Sequence, residues 1–187
     1  MLILTVHVDD MAEAGTGVEI DKLLVTVNTD FTTNNLGELS FFTGRSIIQD
    51  TESGALKRNL KAFIEILAKR FDVTTTTGRY PAFPCANLGP SMKGESGGRW
   101  PYREAVGSLM WLVVWSKPEI YNATCAVARH VDDPSERHWQ AVLQIIKYTR
   151  GTKDQGHTFE RGPNLDLSAY TDANYAEKAD DRRSVSG

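Results

Sequence analysis

The most chemically pointed feature of this 187-residue sequence is a pair of adjacent carboxylates, Asp9 and Asp10, at the end of an apolar run. Neighbouring acids repel each other and resist desolvation, so a divalent cation or solvent must take up their charge. The pair is therefore a candidate magnesium site, or else a solvated Asp-Asp turn. A second group is basic: Lys57, Arg58, Lys61, Lys69 and Arg70 are crowded into one stretch that could track a phosphate backbone. Lysines and arginines on a solvated helix face explain that stretch equally well. His138 has no histidine at i+4 and reads as a surface or capping residue rather than a metal ligand. Tyr102 and Arg103 either touch phosphate or pack a helix start.

The elements that carry these residues follow from periodicity. Leu2, Leu4, Val6 and Val8 recur at period two, so a strand runs to Asp9 and Asp10. Gly15 and Gly17 allow a turn, after which Ile20, Leu23, Leu24, Val27 and Phe31 predict an amphipathic helix over 18–31. Leu39 to Gln49 reads as one strand, and Asp50 to Gly54 as a turn from which Ala55 to Asn59 returns. Ile64, Leu67, Ala68 and Phe71 restore the helical period, placing the basic residues on and beside a helix. Residues 72–100 are rich in Thr, Gly and Pro and read as a long loop or linker. Three helices follow: one from Pro101 to before Pro118, one capped by Ser116, and one capped by Asp133 and stopped by Gly151. Gly156 to Arg161 and Leu165 to Asp172 read as a closing hairpin, so that a second strand ends in an acid, and 173–187 is loop-like.

The composition, 41% hydrophobic and 24% charged, suits one domain or two small ones. Charge is unevenly spread: residues 1–55 carry nine acids and two bases, residues 56–103 three acids and nine bases, and residues 104–187 twelve acids and ten bases. An acidic, cation-suited start thus precedes a basic middle. Cys85 and Cys125 share no metal-type spacing and indicate neither a disulfide framework nor zinc, which favours a reducing, intracellular setting. The opening apolar run is too short for a transmembrane helix and lacks the flanks of a signal peptide, so no membrane partner is expected.

Seven motifs, in order, resemble the polyprotein of copia-type LTR retrotransposons. They are Val6-His7-Val8-Asp9-Asp10, Asn35-Leu36-Gly37-Glu38-Leu39, the run from Pro101 to Leu112, Lys117-Pro118-Glu119-Ile120, His138-Trp139, Lys147 to Thr152, and Tyr170-Thr171-Asp172-Ala173-Asn174-Tyr175-Ala176. The resemblance covers essentially the whole chain, from the last part of the reverse transcriptase into the start of RNase H. It implies an α+β fold: a partial polymerase palm with its hairpin and helix over 1–71, a linker over 72–100, a mainly helical thumb or connection region over 101–155, and the first hairpin of an RNase H-like fold over 156–187.

It also implies roles. Asp9 and Asp10 match the palm carboxylates that hold Mg2+, with Mn2+ as a substitute, for two-metal attack of a primer 3′ hydroxyl on a nucleotide α-phosphate. Asp172 matches the first metal-binding carboxylate of RNase H. Tyrosine usually stands where this sequence has His7. The expected partners are an RNA template, an RNA–DNA hybrid and the remainder of the polyprotein, in a cytoplasmic particle or the nucleus. The family's other palm aspartate lies upstream and the other RNase H acids downstream, so the expectation for the isolated chain is inactivity. The alternatives are a non-catalytic relic or domesticated fragment that binds nucleic acid through its basic middle, and a metal-free interaction module.

Overall fold

A computed structural model describes residues 1–82, 88–92, 95, 98–162 and 168–170, and the backbone of 173–174 and 185–186. The chain is a mixture of helices and small antiparallel sheets, as its alternating periods imply.

The opening strand passes through a turn into an antiparallel second strand. β1 (Ile3–His7) turns at Val8 and Asp9 and returns as β2 (Asp10–Ala14), with Ile3 opposite Ala14 and His7 opposite Asp10. The turn starts one residue before the acid pair, at Val8, which bends the chain at φ 57°, a left-handed conformation that β-branched residues rarely adopt. α1 (Gly17–Asp30) begins in a capping box, in which Thr16 N–H donates to Glu19 at 3.1 Å and the Thr16 hydroxyl accepts from Glu19 N–H at 3.4 Å. No residue of α1 is fully buried, and Ile3, Val6, Val8, Val18, Val25 and Phe31 are exposed.

The expected strand over 39–49 also divides. β3 (Phe41–Phe42) and β4 (Arg45–Gln49) meet at a tight turn in which Thr43 and Gly44 both have positive φ, 47° and 81°. Such a turn matches the right-handed twist of the paired strands. β5 (Leu56–Asn59) pairs with β4, and β6 (His157–Phe159) pairs with β5, completing a four-stranded antiparallel sheet. Here the expected closing hairpin is corrected: its first run pairs with β5, and residues 168–170 of its second run form no strand. Residues 163–167 and Asp172 lie outside the described residues. Gly156 makes the pairing possible, because a Cβ there would collide with the Arg58 carbonyl oxygen and with Asn59. A two-residue antiparallel pair, β7 (Ala173–Asn174) with β8 (Val185–Ser186), stands where loop was expected.

The core lies among the later helices: α2 (Lys61–Arg70), α3 (Tyr102–Trp115), α4 (Tyr121–Ala128) and α5 (Glu136–Gly151). Ile64, Leu109, Leu112, Ile120, Val142 and Ile146 are wholly buried at its centre. Fully burying a side chain of this kind is worth about 1.5–3 kcal/mol, so this cluster and not the N-terminal hairpin dominates stability. Two caps differ from expectation. Ser116 ends α3 and does not start the next helix, which opens with a 3-10 turn at Pro118–Ile120. α5 is capped by Ser135, not Asp133. The long loop after α2 is strapped along α5: Gln144 donates to the Tyr80 carbonyl at 2.7 Å, Arg150 to Thr76 at 3.2 Å and Arg137 to Gly89 at 2.9 Å. Among the described residues, no helix is long and apolar enough to cross a membrane.

Candidate nucleic-acid and metal sites

Asp9 sits in the β1–β2 turn and Asp10 opens β2 opposite His7, and both side chains are exposed. Among the described residues, no group of three or more His, Cys, Asp or Glu side chains gathers as a metal site. The hairpin therefore offers two hard oxygen donors from consecutive residues. That set is suited to Mg2+ in type and short in number, since the ion takes six ligands and keeps water where protein donors are few. Asp172, the third carboxylate anticipated from sequence, lies outside the described residues.

The sheet separates the basic residues. Ile47 pairs with Arg58 and Ile48 with Lys57, and side chains alternate across a strand, so Lys57 and Arg58 project from opposite faces. On the Lys57 face a cleft of about 420 Å³ opens between the sheet and α2, lined by Ser46, Lys57, Asn59, Lys61, Glu65 and Asp154. Lys61 pairs with Asp154 at 2.7 Å and Lys153 with Glu65 at 2.6 Å, so the cleft wall is of mixed charge. The hydrogen bond and charge of Asp154 raise the Lys61 pKa, and those of Lys153 hold Glu65 below its ordinary value. At the far end of α2, Arg70 holds Glu104 of α3 with two bonds, at 2.8 and 3.0 Å. Lys69 is exposed. Lys57 and Lys61 thus share a cleft, while Arg58 lies behind the sheet and Arg70 is engaged with α3.

Two residues of the sequence motifs are buried in ways the sequence did not show. His138 is wholly buried: its Nδ1 accepts from Ser135 N–H at 2.9 Å, and its Nε2 meets the Gly89 carbonyl at 3.0 Å. Those partners fix the neutral tautomer with the proton on Nε2. Its ring stacks on His130, with centroids 3.9 Å apart. The capping reading holds, while the surface reading fails because the loop at Gly89 covers the ring. Lys117, only 1% exposed, donates from Nζ to the Thr152 carbonyl at 2.6 Å and lies 3.5 Å from Glu119. It thereby places a cation at the α5 C-terminus, where the helix dipole favours one. Burial pulls its pKa down against the opposing charge of Glu119. In the sequence it stood out only as the first residue of the Lys117-Pro118-Glu119-Ile120 motif.

A hairpin with an acid pair at its turn, together with a small sheet and a helical core, makes an α+β scaffold with a carboxylate tip. No family model matches the sequence, and no solved structure matches it. Curated relatives do. The whole chain is 32% identical over 196 residues to the retrovirus-related Pol polyprotein from transposon TNT 1-94 of Nicotiana tabacum, of which the match covers 14%. It is 27% identical over 192 residues to the corresponding polyprotein from transposon RE2 of Arabidopsis thaliana, covering 13%. A shorter stretch, 87 residues and 46% of the chain, is 36% identical to the secreted RxLR effector protein 161 of Plasmopara viticola, covering 61% of it. Along its entire length the chain is thus a relative of the retrovirus-related Pol polyproteins of plant transposons, and it spans about one seventh of their length.

Proposed function

We propose that the chain is the C-terminal part of a copia-type reverse transcriptase running into the start of RNase H, and that it contributes one carboxylate pair to nucleotidyl transfer. The observation that carries this reading is the acid pair at a hairpin turn in a chain related throughout to Pol polyproteins. In this reading Asp9 and Asp10 hold Mg2+ through hard oxygen donors, and the ion activates the primer 3′ hydroxyl and stabilises charge on the phosphate. His7, directly opposite Asp10 across the hairpin, takes the place of the family's usual tyrosine. Asp172 serves the RNase H site of the parent enzyme. An RNA–DNA hybrid lies along the basic middle on the face of Lys57 and Lys61, with the exposed Lys69 extending the track along α2, while Arg58 faces the other side of the sheet and Arg70 holds Glu104.

With two carboxylates at the hairpin and no third gathered beside them among the described residues, the chain places its ions poorly and does not by itself extend a primer. Hybrid binding is the direct test. Affinity for an RNA–DNA hybrid should fall with salt at a log–log slope of roughly −0.9 per phosphate contact for a B-like duplex. Replacing Lys57, Lys61 and Lys69 with Ala should flatten that slope. Binding indifferent to salt and to the triple variant contradicts the proposal, as does primer extension by the chain that persists in Asp9→Asn.

A further inference from the structure

Arg45 and Arg58 stand apart from the other cations. Lys61, Arg70, Arg103 and Lys153 each meet a carboxylate at 2.6–2.8 Å. Among the described residues no ion pair involves Arg45 or Arg58, and the Nε of each is shielded without an acceptor. Register brings them together: Arg45 and Ile47 share a face of β4, and Ile47 pairs with Arg58 of β5. The C-terminal half of α3 supplies the floor. The Arg45 guanidinium lies 3.4 Å from the centroid of the Trp115 ring and 5.8 Å from that of Trp111. The Arg58 guanidinium lies 5.4 Å from Trp115 and 5.4 Å from Phe159, with one terminal nitrogen 3.2 Å from His157 Nδ1.

Indole faces attract guanidinium ions, but they do not neutralise two of them side by side. Burial, and then the charge of Arg58, hold the Arg45 pKa below its ordinary value. An anion placed between the two guanidiniums would relieve that repulsion, and phosphate oxygens match the planar forks of their terminal nitrogens. At the edge of the pair, Trp111 and Phe159 are 40% and 50% exposed, which leaves aromatic surface for a flat ligand. Bases of a duplex are already paired and stacked, so the strand that can use such surface is an unpaired one.

We infer that Arg45, Arg58, Trp111 and Phe159 form a binding site for single-stranded nucleic acid, with a phosphodiester between the two guanidiniums and a neighbouring base on an aromatic ring. This rests on the reading that the chain handles nucleic acid, and it adds a second surface on the opposite side of the sheet from the Lys57–Lys61 cleft.

The test is titration of the full chain with a twelve-nucleotide oligothymidylate, read by tryptophan fluorescence and by anisotropy of a labelled strand, beside inorganic phosphate and an RNA–DNA hybrid. Arg45→Gln should weaken oligonucleotide binding at least tenfold and reduce the salt slope by about 0.7, the single-strand value for one contact. Trp111→Ala should weaken it at least fivefold and remove most of the quenching. Lys61→Ala, on the other face, should weaken hybrid binding more than oligonucleotide binding. Arg45→Gln removes one of two repelling charges, and its melting curve checks that the fold survives. Oligonucleotide binding untouched by Arg45→Gln and Trp111→Ala overturns the site while leaving hybrid binding through the cleft intact. Phosphate competing as strongly as the oligonucleotide overturns the stacking component. Failure to bind either the oligonucleotide or the hybrid overturns both this site and the broader reading.

Discussion

Lowering the pH from 7.5 to 5 should destabilise the fold through His138. The ring is wholly buried, accepts the Ser135 N–H at Nδ1, and stacks on His130. Protonation would put a proton on Nδ1, turn an acceptor into a donor, leave the Ser135 N–H without its partner, and undo the cap of α5. Burial is the main cause holding the His138 pKa below its ordinary value, and the nearby Arg137 charge acts in the same direction. The Gly89 carbonyl and the charges of Glu95 and Asp133 pull the other way. Because the folded-state pKa is depressed, the unfolded chain binds the proton more readily. The contribution is therefore fully present above the unfolded value near pH 6.5, and it is lost as pH falls from there through the folded value. Within that window the loss approaches about 1.4 kcal/mol per pH unit for one proton. Urea unfolding at pH 7.5, 6.5, 5.5 and 5.0 reads it directly. His138→Gln keeps a side-chain acceptor at the same helical position but cannot titrate, so it should cost about 1 kcal/mol at pH 7.5 and flatten the dependence between pH 6.5 and 5. An unchanged pH slope in His138→Gln would refute the reasoning.

Other expectations are equally concrete. Val8→Gly should stabilise the β1–β2 hairpin by about 1 kcal/mol, read as slower amide exchange in β1, because it removes a left-handed β-branched residue and sacrifices only an exposed side chain. Gly156→Ala should cost about 1–3 kcal/mol in urea unfolding and speed exchange along β5 and β6, since its methyl group meets the Arg58 backbone. Lys117→Met should cost about 1–3 kcal/mol by leaving the part-buried Thr152 carbonyl without its charged donor. A Lys117→Met chain as stable as the parent would show that burying the ammonium offsets what its hydrogen bonds contribute.

The helices were legible because α2 to α5 each bury a stripe at the helical period, and a stripe survives whatever the rest of the fold does. Turns were less so. Val8 is no turn former by residue type, so the acid pair announced a turn but not where it begins, and Thr43-Gly44 is embedded in an apolar run, so that hairpin read as one long strand. Ser135 displaced Asp133 as the α5 cap because its hydroxyl stands three residues before His138, whose ring completes the reciprocal bond; a rule looking for Glu or Gln at that position passes over histidine. The acid pair was legible as chemistry, being two adjacent residues. Arg45 and Arg58 were not grouped, because thirteen positions separate them and only strand register sets them side by side. The division of the basic stretch by the sheet was hidden for the same reason: consecutive residues such as Lys57 and Arg58 look like one patch until a strand sends them to opposite faces.

Metal binding at the hairpin bears most directly on the proposed role of the chain. Titration of the isotope-labelled chain with Mn2+, which substitutes for Mg2+ and broadens nearby resonances, should bleach amides of β1, the Val8–Asp9 turn and β2 first, with weak affinity set by two carboxylates. Asp9→Asn should abolish that bleaching while leaving the spectrum of the helical core unchanged. Bleaching centred elsewhere, or bleaching of the hairpin that persists in Asp9→Asn, would contradict the assignment of Asp9 and Asp10 as the metal-binding pair.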